Sequence, residues 1–455
     1  MWMEFLSRLQ FALTISFHIL FPAFSVGLAT FLVIMEAVWL KTKNPLFLQI
    51  CKFWTKVFAL TFGMGVVSGI AMEFQLGTNW SGFTDAVGPV LGSLFVYEVL
   101  TAFFIEAGFL GIMIFGWGRL SKGLHFLATF LVWIGVTLSA FWILSANSWM
   151  QAPSGAVLEH GRFHVTSWLH VIFNPTVIPR YIHMLLAAYL STVMVIAAVS
   201  GWYLLKKIHI PFAKTCFSFA MWAMLLLIPI QMFVGDMVGL DLDKYQPVKT
   251  ASIEAVWHTQ KGVPFVIFAW PDEKQQKNLF AIEIPYGASL INKHSFDGVI
   301  KGLDQVKPDD WPYVPIVFFT FRIMVGMGML ILLLAVISVV LRAKKKLFDT
   351  PWFLRASVWM VPTGFIALLT GWYTAEVGRQ PWVVYNILRT KDAVSHLQTW
   401  QVIASISVII LVYGLVFGVF YMRYVLKTIR KGPEDVSTVK MPFAYMALEQ
   451  DKEAK

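Results

Sequence analysis

Residues 315–341 read PIVFFTFRIMVGMGMLILLLAVISVVL, and Arg322 is the one charged residue in that run. A stretch this long and this apolar is a transmembrane helix, because a bilayer core of ~30 Å takes about 20 residues at 1.5 Å each. Arg342, Lys344, Lys345 and Lys346 follow at once, as expected where a helix leaves the membrane on its basic side.

The rest of the chain has the same character. Of 455 residues 58% are hydrophobic and 14% charged, which excludes an ordinary soluble domain. A lipid-facing barrel would need alternating segments of about ten residues, and none is found. Nineteen tryptophans and thirty-nine phenylalanines suit helices with aromatic belts. Nine spans are predicted, near 11–38, 54–74, 94–117, 124–148, 182–205, 217–240, 315–341, 356–377 and 400–424. The expected fold is therefore an all-α integral membrane bundle. Its domains are helices one to six over 1–240, an extracytoplasmic loop over 241–313, helices seven to nine over 314–430, and a cytoplasmic tail over 431–455.

Short-loop charge sets the orientation. Lys41, Lys43, Lys52, Lys56, Arg119, Lys122, Lys206, Lys207, Lys214, Arg355 and the tail from Arg423 fall on one side, which is read as cytoplasmic. The opposite side holds FQLGTNWSGFTDAVGPVLGS (74–93), with no basic residue, so the N-terminus and the long loop are read as facing outward. The net charge of +10 is then membrane topology and makes no case for nucleic acid. MWMEFLSRLQ has no basic run before its apolar core and no small-residue cleavage site, so it is read as retained. Cys51 and Cys216 form neither a disulfide framework nor a metal pair.

Ionisable groups inside spans cost at least ~2.5 kcal/mol at a helix centre, so each needs a reason. His18 lies in span one, Glu98 and Glu106 in span three, His183 at the start of span five, Arg322 and Met324 in span seven, and Glu376 and Arg379 at the end of span eight. With alternating spans, His18, His183, Met324 and Glu376 share a layer near the outer side. Three are haem-iron ligand types and the fourth is a carboxylate. His183 with Met324 makes a six-coordinate pair, leaving His18 and Glu376 for sites with an open position. The alternatives are plain: a membrane histidine bonded to a hydroxyl or carbonyl, a methionine filling core, and Glu376–Arg379 as a structural ion pair. Glu98 and Glu106, ~12 Å apart along one helix, suit a proton relay, or Glu98 faces water. His160 and His164 are a pair without a third ligand and read as solvated. Lys249 and Glu254 read by default as a solvated loop face, or as a dock for a membrane-borne reductant.

Taken together, SRLQFALTISFH (7–18), MEFQLGTNW (72–80), FFIEAGFLG (103–111), IEAVW (253–257), FRIMVGMG (321–328) and TAEVGRQPW (374–382) resemble subunit I of the cytochrome bd-type quinol oxidases. The resemblance runs over all nine spans and the loop. It implies a quinol:oxygen oxidoreductase of the bacterial inner membrane, which reduces O2 to water and builds a proton motive force without pumping. His183 and Met324 match the ligands of a low-spin haem b, with Arg322 beside them. His18 and Glu376 match the ligands of two high-spin haems. Trp372, Glu98 and Arg379 match residues lining that site, Glu106 and Ser139 a proton pathway, and Lys249 and Glu254 a quinol-binding loop. Pro381 helps to end the helix after Glu376. The loop lacks the insertion of long-loop members and resembles the cyanide-insensitive branch. Haem d and a further haem b therefore stand as alternatives at the oxygen site, beside a high-spin haem b. The implied partners are quinol, O2, membrane lipid and a subunit II, with or without a small single-helix subunit.

Rival classes make different demands. A haem-copper oxidase implies six metal-binding histidines in spans, yet His160, His164, His170, His258 and His294 lie in outer loops. A proton-coupled transporter predicts internal repeats and broken helices, and neither is read from the sequence. A non-redox scaffold subunit predicts a protein without haem.

Overall fold

A computed structural model describes residues 2–434; the tail expected over 431–455 lies almost wholly outside the described residues. Among the described residues nine helical spans are long and apolar enough to cross a membrane. They are Trp2–Thr42, Pro45–Thr78, Ser81–Phe115, Lys122–Gln151, Trp168–Lys206, Ile210–Tyr245, Pro308–Ala343, Pro351–Val377 and Thr399–Lys431. The nine predicted spans all appear, most of them longer than hydropathy alone drew them.

Span one starts at Trp2 rather than near residue 11, which makes His18 the last residue of a first helical piece, Trp2–His18, before a second, Leu20–Thr42. The sequence explains the break: Pro22 has no N–H to give the carbonyl of His18 four residues earlier. Span eight is likewise split, Pro351–Trp359 and Thr363–Val377, with Pro362 between.

The helices form two groups. Spans five, six, seven and eight close a ring, five on six, six on seven, seven on eight and eight on five. Span one packs on spans two, four, five and nine, and span three on span four. At one end of the bundle the connections lock together: Gln246 Nε2 donates to the Gln151 carbonyl at 2.8 Å, Tyr385 N to Met150 O at 3.0 Å, and Phe83 N to Ala393 O at 2.9 Å. At the basic end Lys56 pairs with Glu434 at 2.9 Å and Tyr203 donates to Ile429 O at 2.7 Å. The long loop thus sits on the end opposite the basic residues.

The loop is not helical throughout. After the helix Pro247–Glu254 it forms a hairpin, Phe265–Asp272 with Lys277–Ile284, and a short pairing of Gln260–Lys261 with Val299–Ile300. Two more small hairpins, Ala156–Glu159 with Arg162–Val165 and Trp382–Val384 with Leu388–Arg389, cap the same end. Helical periodicity does not reveal such short pairs. His160 and His164 are exposed on the first of them, and no group of three metal-ligating side chains occurs among the described residues.

Candidate functional site: a buried cation cluster and a line of carboxylates

The end of span eight carries the first cluster. Glu376 Oε2 accepts from Arg379 Nη2 at 2.5 Å, one helical turn on. Glu376 Oε1 accepts from Asn147 Nδ2 at 3.0 Å and from Gln151 Nε2 at 3.1 Å, which stand one turn apart near the end of span four. Those amides relay to further cations. Arg180 Nη2 donates to Asn147 Oδ1 at 2.5 Å, and Lys249 Nζ donates to Gln151 Oε1 at 2.6 Å. Three cations, Arg379, Arg180 and Lys249, therefore surround one carboxylate, from three parts of the chain. Arg379 Nε and Nη1 are buried and meet no hydrogen-bond partner among the described residues. Buried charges that lack partners are costly, so the cluster is built to take further negative charge.

Lys249 and Glu254 are not a solvated loop face. Their helix, Pro247–Glu254, is buried from Lys249 onward, with Lys249 1% and Glu254 2% exposed. Gln246 precedes it and, by bonding the Gln151 carbonyl, pins it to span four. Burial, with Arg180 nearby, holds the Lys249 ammonium well below its usual range. Burial raises the Glu254 carboxyl, and Arg322 opposes that shift. Glu254 accepts from Asn292 Nδ2 at 3.1 Å and lies 3.5 Å from Arg322 Nη2. Arg322 gives its other donors to the loop backbone, Nε to Val266 O at 2.8 Å and Nη1 to Ile253 O at 2.5 Å. One buried helix thus reaches the Glu376 cluster through Lys249 and span seven through Glu254.

The histidines lie against glycines. A Cβ at Gly235 would stand 3.2 Å from His183 Cε1, and one at Gly69 3.2 Å from His18 Cε1. His183 Nδ1 is buried and meets no hydrogen-bond partner among the described residues, while its Nε2 is 3.3 Å from Gln231 Nε2. His18 Nδ1 lies 2.9 Å from Ser68 Oγ. Met324 faces span eight, where a Cβ at Gly371 would come 2.8 Å from its sulfur. Span one reaches span eight close by, Ser16 Oγ lying 2.7 Å from Tyr373 Oη. Trp372 packs at the edge of the main apolar core.

Glu98 and Glu106 both face span four. Ser139 Oγ donates to Glu98 Oε1 at 2.6 Å, so Ser139 belongs with Glu98 rather than beside Glu106. Glu106 is 5% exposed and lies against Gly135, one turn before Ser139; a Cβ there would come 2.5 Å from Glu106 Cγ. Its Oε1 has no partner among the described residues. The spacing comes from a π-helical segment, Val99–Phe103, in which the Phe104 N–H reaches back to Val99 O. Eight α steps would set the carboxylates about 80° apart, whereas one residue absorbed by the π turn leaves about 20° and ~10.5 Å of rise.

Arg180, Asn147 and Gln151 were not singled out from the sequence. Their signals are an arginine three residues before His183 in PRYIH and two amides four apart in NSWMQ.

Comparison with known proteins gives one answer. The chain is 34% identical to the cytochrome bd-II ubiquinol oxidase subunit 1 of Escherichia coli K12, over 94% of this chain and 96% of that one. It is 36% identical to the cytochrome bd ubiquinol oxidase subunit 1 of Bacillus subtilis 168, over 96% and 97%. A putative cytochrome bd menaquinol oxidase subunit I of the same Bacillus is 32% identical over 96% and 99%. The solved structure of bd oxidase from Geobacillus thermodenitrificans superimposes with a TM-score of 0.89 at 28% identity, over 95% of this chain and 99% of that one. The sequence profile of the cytochrome bd terminal oxidase subunit I family matches residues 6–433, and this multi-pass membrane chain is a member of that family.

Proposed function

We propose that this chain is the haem-binding subunit of a terminal quinol oxidase, in which two quinols give four electrons that reduce one O2 to two waters. The observation that carries the reading is the buried cluster at Glu376, where three cations surround one carboxylate and Arg379 keeps two N–H groups unpaired. A haem carries two propionates, and that charge fits this surplus. The glycines beside both imidazoles and the His183 Nδ1, without a partner among the described residues, fit the same group.

His183 and Met324 would hold a low-spin haem b. His18 and Glu376 would hold two high-spin haems, one of type b and one of type d or b. Haem, when bound, supplies the electron transfer and the oxygen chemistry. Lys249 and Glu254 would present the loop helix to the quinol headgroup. Arg322 ties that helix to the Met324 span. Glu106, Glu98 and Ser139 would carry protons along the face of span four, from the basic cytoplasmic side toward the oxygen site. With the loop outward, quinol protons leave on the other side, and this separation makes a proton motive force without pumping. A subunit II and the inner membrane of a bacterium complete the setting.

The test is a reduced-minus-oxidised spectrum with extracted haems, on the purified complex and on Met324→Leu. The wild type should show b-type bands, with a far-red chlorin band if haem d is present; their absence would favour a transporter or scaffold. Met324→Leu should lose the low-spin signature. A native low-spin band at native potential in that variant would remove Met324 from the ligand set.

A further inference from the structure

Below the basic end of the bundle lies a buried ionisable pair that the oxygen and quinol sites do not use. Glu36 of span one is 1% exposed and His125 of span four 2% exposed. His125 Nδ1 is 2.6 Å from Glu36 Oε1, and His125 Nε2 is 3.1 Å from the Met113 carbonyl oxygen. Thr129 Oγ1 donates to Glu36 Oε2 at 2.7 Å. A carbonyl only accepts, so Nε2 carries a hydrogen. The Nδ1–Oε1 contact then needs a proton on one of its two atoms, whichever member holds the charge. The pair keeps one transferable proton inside the membrane domain.

Its position gives that proton a direction. His125 is the fourth residue of the helix Lys122–Gln151, one turn from the basic end. The Trp117 ring lies over it at 3.7 Å between centroids, and Trp117 also packs edge-on against Trp39. The titratable neighbours are Cys51, within electrostatic reach of Glu36, and Lys122, whose ammonium lies 5.5 Å from the Trp39 ring centre. Along the same helix follow Thr129, then Gly135 against Glu106, then Ser139 bonded to Glu98. Thr129 to Gly135 is six residues, ~9 Å of rise and about 120° around the helix, so a relay between them needs a chain of several bridging waters.

We propose that Glu36–His125 is the proton-loading site at the basic end of this line, giving its proton to the Glu106 carboxylate and regaining one from the adjoining aqueous phase. The inference rests on the oxidase reading and extends its proton route by one station. A buried pair kept only for packing is the competing account, since such pairs are often replaceable by neutral partners.

The test uses the purified haem-loaded complex in liposomes, with proton uptake followed by a pH indicator after an oxygen pulse. Glu36→Gln and His125→Gln should keep haem content and quinol KM, while kcat and proton uptake fall tenfold or more. The double variant Glu36→Gln/His125→Gln, a neutral hydrogen-bonding pair, should stay as slow. Native uptake in that double variant, with haem intact, overturns the proposal. Where a Glu36 variant does not assemble, Thr129→Val removes one hydrogen bond and should slow uptake severalfold; unchanged uptake there counts equally against the idea. Glu106→Gln separates the two levels. If it turns over at the native rate, the underlying proton-route reading fails; if it alone is slow, only the loading site fails.

Discussion

Deleting Leu100 should leave the enzyme working, and inserting one residue beside it should not. Leu100 lies in the π segment Val99–Phe103 and is 57% exposed, so its side chain holds little packing. A π turn absorbs one residue, and removing one returns the segment to continuous α-helix. Glu98 and Glu106 would then be seven α steps apart, about 700°, still within about 20° of one face. Glu98–Ser139 and Glu106–Gly135 would both survive. An alanine inserted after Leu100 adds about 100° and swings Glu106 off span four toward lipid, which costs at least ~2.5 kcal/mol. The assay is oxygen uptake per haem with a saturating short-chain quinol, beside haem content and thermal stability in detergent. Near-native turnover is expected for the deletion and at least tenfold loss for the insertion. An inactive deletion variant with full haem, or an insertion variant at wild-type rate, would refute the alignment of the two carboxylates by the π turn.

Three other outcomes are expected. Arg379→Gln removes the direct cation from buried Glu376 and should cost about 3 kcal/mol of stability, toward the low end for a broken buried pair because Asn147 and Gln151 still donate; unchanged thermal unfolding and haem content would contradict the cluster. Gly135→Ala puts a Cβ 2.5 Å from Glu106 Cγ and 3.3 Å from the Ala102 carbonyl oxygen, so spans three and four must part and turnover should fall severalfold with quinol KM unchanged; native kcat would show that Glu106 moves freely. Glu434 is held down to about 2 from 4.5 by hydrogen bonds from Lys56 and Lys431. Its stabilising contribution is therefore present above pH 4.5 and lost as pH falls toward 2. Because the pair is half exposed, that contribution stays below about 1 kcal/mol. Cross-linking between positions 56 and 434 should fall over the same pH window, and a flat profile would dismiss the clamp.

The nine spans were legible because bilayer insertion depends on a one-dimensional quantity, apolar length between charges. The candidate ligands His18, His183, Met324 and Glu376 were legible because a polar or soft side chain in such a run is costly or distinctive. The break after His18 was not read from the sequence, although its cause, the missing N–H of Pro22, is a local fact there. What lies around those residues was not legible. Lys249 and Glu254 carry the composition of a solvated loop, and only packing of their helix against spans four, six and seven, and against Gly378 just past span eight, buries them. Arg180, Asn147 and Gln151 are ordinary at the ends of hydrophobic runs until tertiary contact gathers them on one carboxylate. The same holds for Glu36 and His125, 89 residues apart and meeting at 2.6 Å. Sequence alone determined how many times the chain crosses and which residues are expensive there. Tertiary structure decided which expensive residues share one another's charge, because that depends on helix rotation and a π turn, which hydropathy does not encode.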